Sequence, residues 1–484
     1  MTLLVRNIKP FNKWRNGTEP LFWASIAILS VATILVRHYL DQAPEYMTEH
    51  YLMKYHVRRV GENLVNIPVW RYFFPIVEIK GTWSTTGFIL IYYLEKALGI
   101  VGAYYLLVVS STFAVAFAAR HVFGSRAAAF SAAVLWAFSP FNYSVYFWSG
   151  SNNAYTVVAF LCLAIGFYAL YIRQPTASRS FWAGTLFLIM AATAYEVWLN
   201  FVVYVVLALP LVYLFARRYA DPARTRALLQ VSFTTITTGV IYTIIRLYFL
   251  SFMTRRGSEA QVIPVLKDFP QAFDDVVNNA FLFFWMGPEA VLPDIFGTSL
   301  KILSSGTFSA QSVTHGYLSG ERWPNLDWVV QSHYMTMWRF YAGMLFVVFA
   351  YLCFRLLQTA LRSGDVRRLI AGLLLFAVLL GSPTHNILQF VHFNIWAYYP
   401  YKAVIGILFT YGLVAFVVGL LYRRLGTRLQ RMALLSGISL YAAMLYVTAP
   451  ISLNRHIEYM WGDMGFFGHG YYPEPLDNLN EMLR

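Results

Sequence analysis

Residues 154–172 read AYTVVAFLCLAIGFYALYI, nineteen positions without a charge, and the run closes on Arg173 and Arg179. A helix rising 1.5 Å per residue needs about 20 apolar residues to cross roughly 30 Å of hydrocarbon, so this run has the length of a membrane span. Outward from it the same pattern recurs, at 21–39, 86–119, 127–147, 180–196, 199–216, 228–250, 337–357, 367–384, 401–421 and 432–450. The stretch 86–119 is too long for one crossing and is interrupted by Glu95, Lys96 and Gly99, which predicts an interfacial segment over 86–97 and a span over 101–119. The stretch 180–216 is long enough for two crossings, with Tyr195 and Glu196 at the turn. The expected fold class is therefore an all-α polytopic membrane protein of about eleven transmembrane helices, with interfacial helices in its large loops.

Composition agrees. The chain is 58% hydrophobic and 18% aromatic but only 12% charged, about half the charged fraction of a soluble domain. Cys162 and Cys353 fall inside apolar runs, which excludes a disulfide framework or a cysteine zinc site. The net charge of +14 suggests nucleic acid at first sight, but topology accounts for it. Arg6, Lys9, Lys13 and Arg15 precede the first span, and every second loop after it is basic: Arg120 and Arg126, Arg173 and Arg179, Arg217 to Arg226, Arg362 to Arg368, and Arg423 to Arg431. Short cytoplasmic loops retain Lys and Arg, so this alternation predicts a multi-pass plasma (inner) membrane protein with its N-terminus in the cytoplasm and its C-terminus outside. The first span lacks a small-residue cleavage site and reads as a retained helix.

The organisation that follows is a cytoplasmic segment (1–20), a transmembrane module (21–250) containing a long first outer loop (40–85), a large outer loop (251–336), further transmembrane helices (337–450) and an outer tail (451–484). Polar groups concentrate on the outer face. In the first loop Asp41, Glu45 and Glu49 recur every four residues, one acidic stripe if helical. Such a stripe is either the wet face of an interfacial helix or a set of acids poised at the headgroup level. Glu196 lies at a turn too tight to carry it far into water; it either caps that turn or faces a cleft. Asn152 and Asn153, after the third span, are turn residues or substrate contacts. Arg246, Arg255 with Arg256, and Lys402 stand at outer span ends, as interfacial anchors or as phosphate contacts. His385 and His392 have no nearby carboxylate, so the residues give no support for a metal. The motifs of soluble nucleotide chemistry are missing: no P-loop, dinucleotide-binding glycine fingerprint, GxSxG, HExxH or CxxC occurs.

Three stretches together carry a likeness. One is the span followed by a long outer loop with an early acid, His38-Tyr-Leu-Asp41-Gln-Ala-Pro-Glu45, and then Pro75 with an aromatic-rich return. Another is Val122-Phe-Gly-Ser-Arg126 leading into a small-residue helix that ends in Ser139-Pro140. The third is Ala194-Tyr195-Glu196 at its outer turn, with Tyr399-Pro400-Tyr401-Lys402 late in the chain as a further echo. In these the chain resembles the GT-C superfamily of integral membrane glycosyltransferases, closely over about 20–250 and loosely beyond. It departs from that family's paired acids, having Gln42 beside Asp41, so Asp41 and Glu45 both stand as the base.

The resemblance implies transfer of a sugar from a polyprenyl-phosphate donor to a lipid, glycan or protein acceptor at the outer face, without nucleic acid. Asp41 or Glu45 would be the catalytic base; Glu196, Asn152, Asn153, Arg246, Arg255 and Lys402 would bind substrate. Two other classes fit the span pattern. An O-antigen-type polymerase or ligase would use the 251–336 loop with Arg255, Arg256, His315, Arg322 and His333, and a lipid or glycan transporter would have no chemistry at all. Transporters place ionisable groups at the midplane, whereas most charges here sit at span ends.

Overall fold

A computed structural model describes residues 18–40, 85–139, 152–194, 196–252, 291, 333–380 and 404–457. Every regular element among them is helical: α1 (Thr18–Leu40), α2 (Thr85–Phe123), α3 (Arg126–Ala137), α4 (Asn152–Arg173), α5 (Ser178–Ala194), a 3₁₀ turn (Glu196–Trp198), α6 (Leu199–Tyr219), α7 (Pro222–Phe252), α8 (His333–Ser363), α9 (Val366–Leu380), α10 (Val404–Arg424) and α11 (Arg428–Ile457). Seven of these helices are long and apolar enough to cross a membrane: α1, α2, α4, α6, α7, α8 and α10. Each of the eleven expected spans overlaps one α-helix, but α3, α5 and α9 have only 12, 17 and 15 residues among those described, and α11, though 30 residues long, is not among the seven.

Two details of the sequence reading meet the backbone directly. The helix Thr85–Phe123 is interrupted at Gly99, with φ 71 and ψ 171, in the stretch read as a break between interfacial segment and span. The left-handed φ is open to glycine at little cost, which is why the interruption falls there rather than at Glu95 or Lys96. The span expected over 127–147 is corrected: its helix stops at Ala137, and Phe138 leaves helical geometry. Pro140 in the sequence disfavours the helical conformation at Ser139, a local reason for the helix to end here.

The connections at the arginine-bearing ends are short because the sequence supplies their caps. Gly124 (φ 63) and Gly364 (φ 69) follow α2 and α8, and their amides donate to the carbonyls of Arg120 and Ala360 at 3.1 and 2.8 Å, closing the last turns. Ser125 Oγ accepts from Ala128 N at 3.3 Å to start α3; Asp221 Oδ1 accepts from Arg224 N at 2.8 Å to start α7. Before α11, Thr427 and Gln430 exchange side-chain to backbone bonds in a capping box.

The main core lies between α2, α3, α4, α5 and α10, around Trp136, Tyr155, Leu161, Trp198 and Tyr411. Small residues set its density: a Cβ added at Gly419 of α10 would stand 2.9 Å from Ala128 Cβ of α3. A second cluster joins α6, α8, α9 and α10 through Phe215, Cys353, Leu357 and Leu379. Cys162 and Cys353 are buried free thiols. Outside, large apolar side chains such as Ile28, Phe233, Val347 and Leu440 are exposed, an inversion of the soluble pattern that suits contact with lipid tails.

Candidate functional site

At the end of the bundle opposite the arginines, aromatic residues form a buried layer. Trp136 Nε1 donates to Ser111 Oγ at 2.8 Å, tying α3 to α2. Tyr155 of α4 sets its ring edge-on to both Tyr104 and Trp136, at 5.9 and 6.0 Å between centroids. Past the last turn of α3, the Ser139 hydroxyl is 2.5 Å from the Tyr411 hydroxyl of α10, both buried. The Ser139-Pro140 exit thus has a tertiary partner as well as a local cause.

The 3₁₀ turn Glu196–Trp198 packs against α4, α5, α6 and α10. It stands between α5 and α6, and its last two residues are fully buried. Trp198 rests edge-on against Tyr242 of α7, 5.6 Å between centroids. The junction between α5 and α6 therefore packs inside the helix bundle.

The candidate residues divide by what is described. Asn152 and Asn153 are not turn residues: they form the first positions of α4, and that part of the expectation is corrected. Glu196 opens the 3₁₀ turn, and Arg246 lies in α7, six residues before its end at Phe252. For these four the backbone is described and the side chains are not. Asp41, Glu45, Arg255 and Lys402 lie outside the described residues, as do the first outer loop and the 251–336 loop; Asp41 follows the last residue of α1 and Lys402 precedes α10 by two positions. The described residues hold no group of three or more His, Cys, Asp or Glu suited to a metal ion.

The sequence reading passed over two residues beside Glu196. Asn200 and Trp198 are both 0% exposed, and neither the Asn200 amide, at nitrogen or oxygen, nor Trp198 Nε1 has a hydrogen-bond partner among the described residues. Burying such groups unmatched costs about 1–3 kcal/mol each, a cost that native structures rarely carry without a bound water or ligand to offset it. The signal was present: Asn200 interrupts the apolar run Val197-Trp-Leu-Asn200-Phe-Val-Val, four residues after Glu196.

No protein-family model matches this chain, and no curated protein matches it. The fold and composition define it as a polytopic all-helical membrane protein with seven candidate spans among the described residues.

Proposed function

We propose that the protein is a membrane glycosyltransferase of GT-C type, which moves a sugar from a polyprenyl-phosphate donor to an acceptor hydroxyl on the outer face. The observation that carries the reading is the polar group set at the non-basic end. Glu196 at a turn wedged among four helices, with the buried amide of Asn200 and indole of Trp198 close by in sequence and unmatched among the described residues, is chemistry suited to sugar hydroxyls. Amide and indole groups give directional hydrogen bonds and carry no charge to repel a phosphate. The motifs around Asp41, Ser139-Pro140, Glu196 and Lys402 support the same assignment by resemblance.

In this mechanism Asp41, or Glu45 in its place, takes the proton of the acceptor hydroxyl as its oxygen attacks the anomeric carbon. The bond from that carbon to the polyprenyl phosphate oxygen breaks, and the phosphate leaves with the electron pair. Lys402, Arg246 and Arg255 hold the departing anion, while Asn152, Asn153, Glu196 and Asn200 orient the sugar. Charge-assisted contacts to phosphate are about twice as strong as neutral ones, so cations at the outer span ends suit the donor.

The deciding assay uses purified full-length protein in lipid nanodiscs with a panel of polyprenyl-phosphate sugars. Asp41→Asn keeps the shape and removes the base, and a transfer loss of about 10²–10⁴-fold is expected; a larger loss in Glu45→Gln moves the base to that residue. Full activity in both variants would sink the carboxylate mechanism, and transport without transfer would favour the transporter class. The proposal includes eleven crossings with the basic ends in the cytoplasm. Reporter fusions at the two termini should report opposite sides, and a C-terminal fusion active only in the cytoplasm would remove one crossing, with the 180–216 hairpin the first to re-examine.

A further inference from the structure

The two-residue turn between α2 and α3 is surrounded by guanidinium groups from four helices. Glu19 of α1 accepts from Arg120 Nε at 3.2 Å and from Arg126 Nε at 2.8 Å. Arg173, the last residue of α4, donates through Nη2 to the Val122 carbonyl at 3.2 Å. Arg423, in the last turn of α10, reaches the Phe123 and Gly124 carbonyls at 3.4 and 3.5 Å. Two of the four cations thus share the Glu19 carboxylate, while Arg173 and Arg423 bond only backbone carbonyls of the turn. The other acids at this end among the described residues, Asp221 and Asp365, are held by Arg224 and Arg368.

Positive-inside topology accounts for arginines in these loops, but not for their gathering on one turn. Each guanidinium has five N–H groups, and among the described residues the bonds of Arg173 and Arg423 use Nη2 alone. Exposed apolar side chains stand on the same helices as Glu19 and Arg423, and on α5. Leu21, two residues past Glu19, is 69% exposed; Leu421, two before Arg423, is 44% exposed; Trp182 at the start of α5 is 67% exposed. Lipid hydrocarbon therefore comes within a turn or so of the cations, and the Trp182 indole suits the headgroup level.

We propose that this turn is a binding site for an anionic phospholipid, whose phosphate is held by Arg126, Arg173 and Arg423 while its acyl chains lie on the neighbouring apolar surface. The shared chemistry is phosphate recognition by planar, bidentate guanidinium groups. The adjoining exposed leucines commit the source to a membrane lipid rather than a soluble anion. A lipid held there would staple α2, α3, α4 and α10 at the end away from the proposed reaction.

The test places the full chain in nanodiscs of phosphatidylcholine alone or with a third phosphatidylglycerol. It reads retained lipid on the folded protein by native mass spectrometry and the melting temperature of the same samples. Retained phosphatidylglycerol and a higher melting temperature are expected for the wild type, following the linkage between binding and stability. Retention should fall about fivefold for each of Arg173→Gln and Arg423→Gln. Arg423→Lys should recover only part of the loss, because it restores the charge without the planar fork. Counting lipid only on folded molecules separates lost binding from lost folding. Undiminished retention in the double Arg173→Gln, Arg423→Gln variant would overturn the site, and displacement of the lipid by millimolar inorganic phosphate would overturn the lipid assignment.

Discussion

The two ends of the bundle treat polar groups in opposite ways. At the basic end each described carboxylate has a guanidinium partner, turns are two to four residues long, and caps close the helices. At the other end, apart from the tight turn between α5 and α6, the described helices are separated by long stretches of chain, and Asn200 and Trp198 are buried with hydrogen-bonding capacity unmatched among the described residues. Satisfied polar groups stabilise a structure; unsatisfied ones cost stability and persist where a ligand will meet them. Under the proposed function, the first end supplies stability and the second end binds substrate.

The largest effect that would sharpen this contrast is at Asn200. Asn200→Leu removes the unmatched amide, so it should raise the melting temperature while lowering transfer about tenfold to a hundredfold, as loss of a substrate hydrogen bond costs roughly 1–3 kcal/mol. Thermal unfolding and kinetics on one preparation decide it. Unchanged transfer in a stabilised variant would make the amide a packing defect and erase the functional side of the comparison.

A smaller effect is expected at Lys402. Lys402→Ala should raise KM for the polyprenyl-phosphate donor about tenfold with kcat nearly kept, because a contact made equally in ground and transition states acts on binding alone. A fall in kcat with constant KM would instead assign Lys402 to the leaving group.

The smallest effect on activity should come from the basic end. Glu19→Gln leaves Arg120 and Arg126 without their shared carboxylate and should cost about 1–2 kcal/mol of stability. Transfer per folded molecule should stay within about twofold. Chemical denaturation in detergent measures the first quantity and specific activity the second; a large activity loss in folded Glu19→Gln would break the division of labour between the ends.

Much of the helical layout was legible because a span must satisfy its own backbone hydrogen bonds and bury its length in hydrocarbon, constraints that act residue by residue. The run at 154–172 corresponds to α4 (Asn152–Arg173), and Glu95, Lys96 and Gly99 marked the region of the interruption found at Gly99. The early exit of α3 was half legible: Pro140 is a local signal, while the Ser139 to Tyr411 contact with α10, 272 residues away, is not.

Sequence by itself thus determined the class of the protein, its helical segments and the alternation of its charges, since hydrophobic length and arginine placement are properties of a single strand of chain. Only the tertiary structure decided which polar groups are matched. Glu19 gains its arginines from two other helices and Asn200 among the described residues gains none. Neither outcome is written in the local sequence, because hydrogen-bond satisfaction in a bundle depends on what the neighbouring helices bring to the same depth.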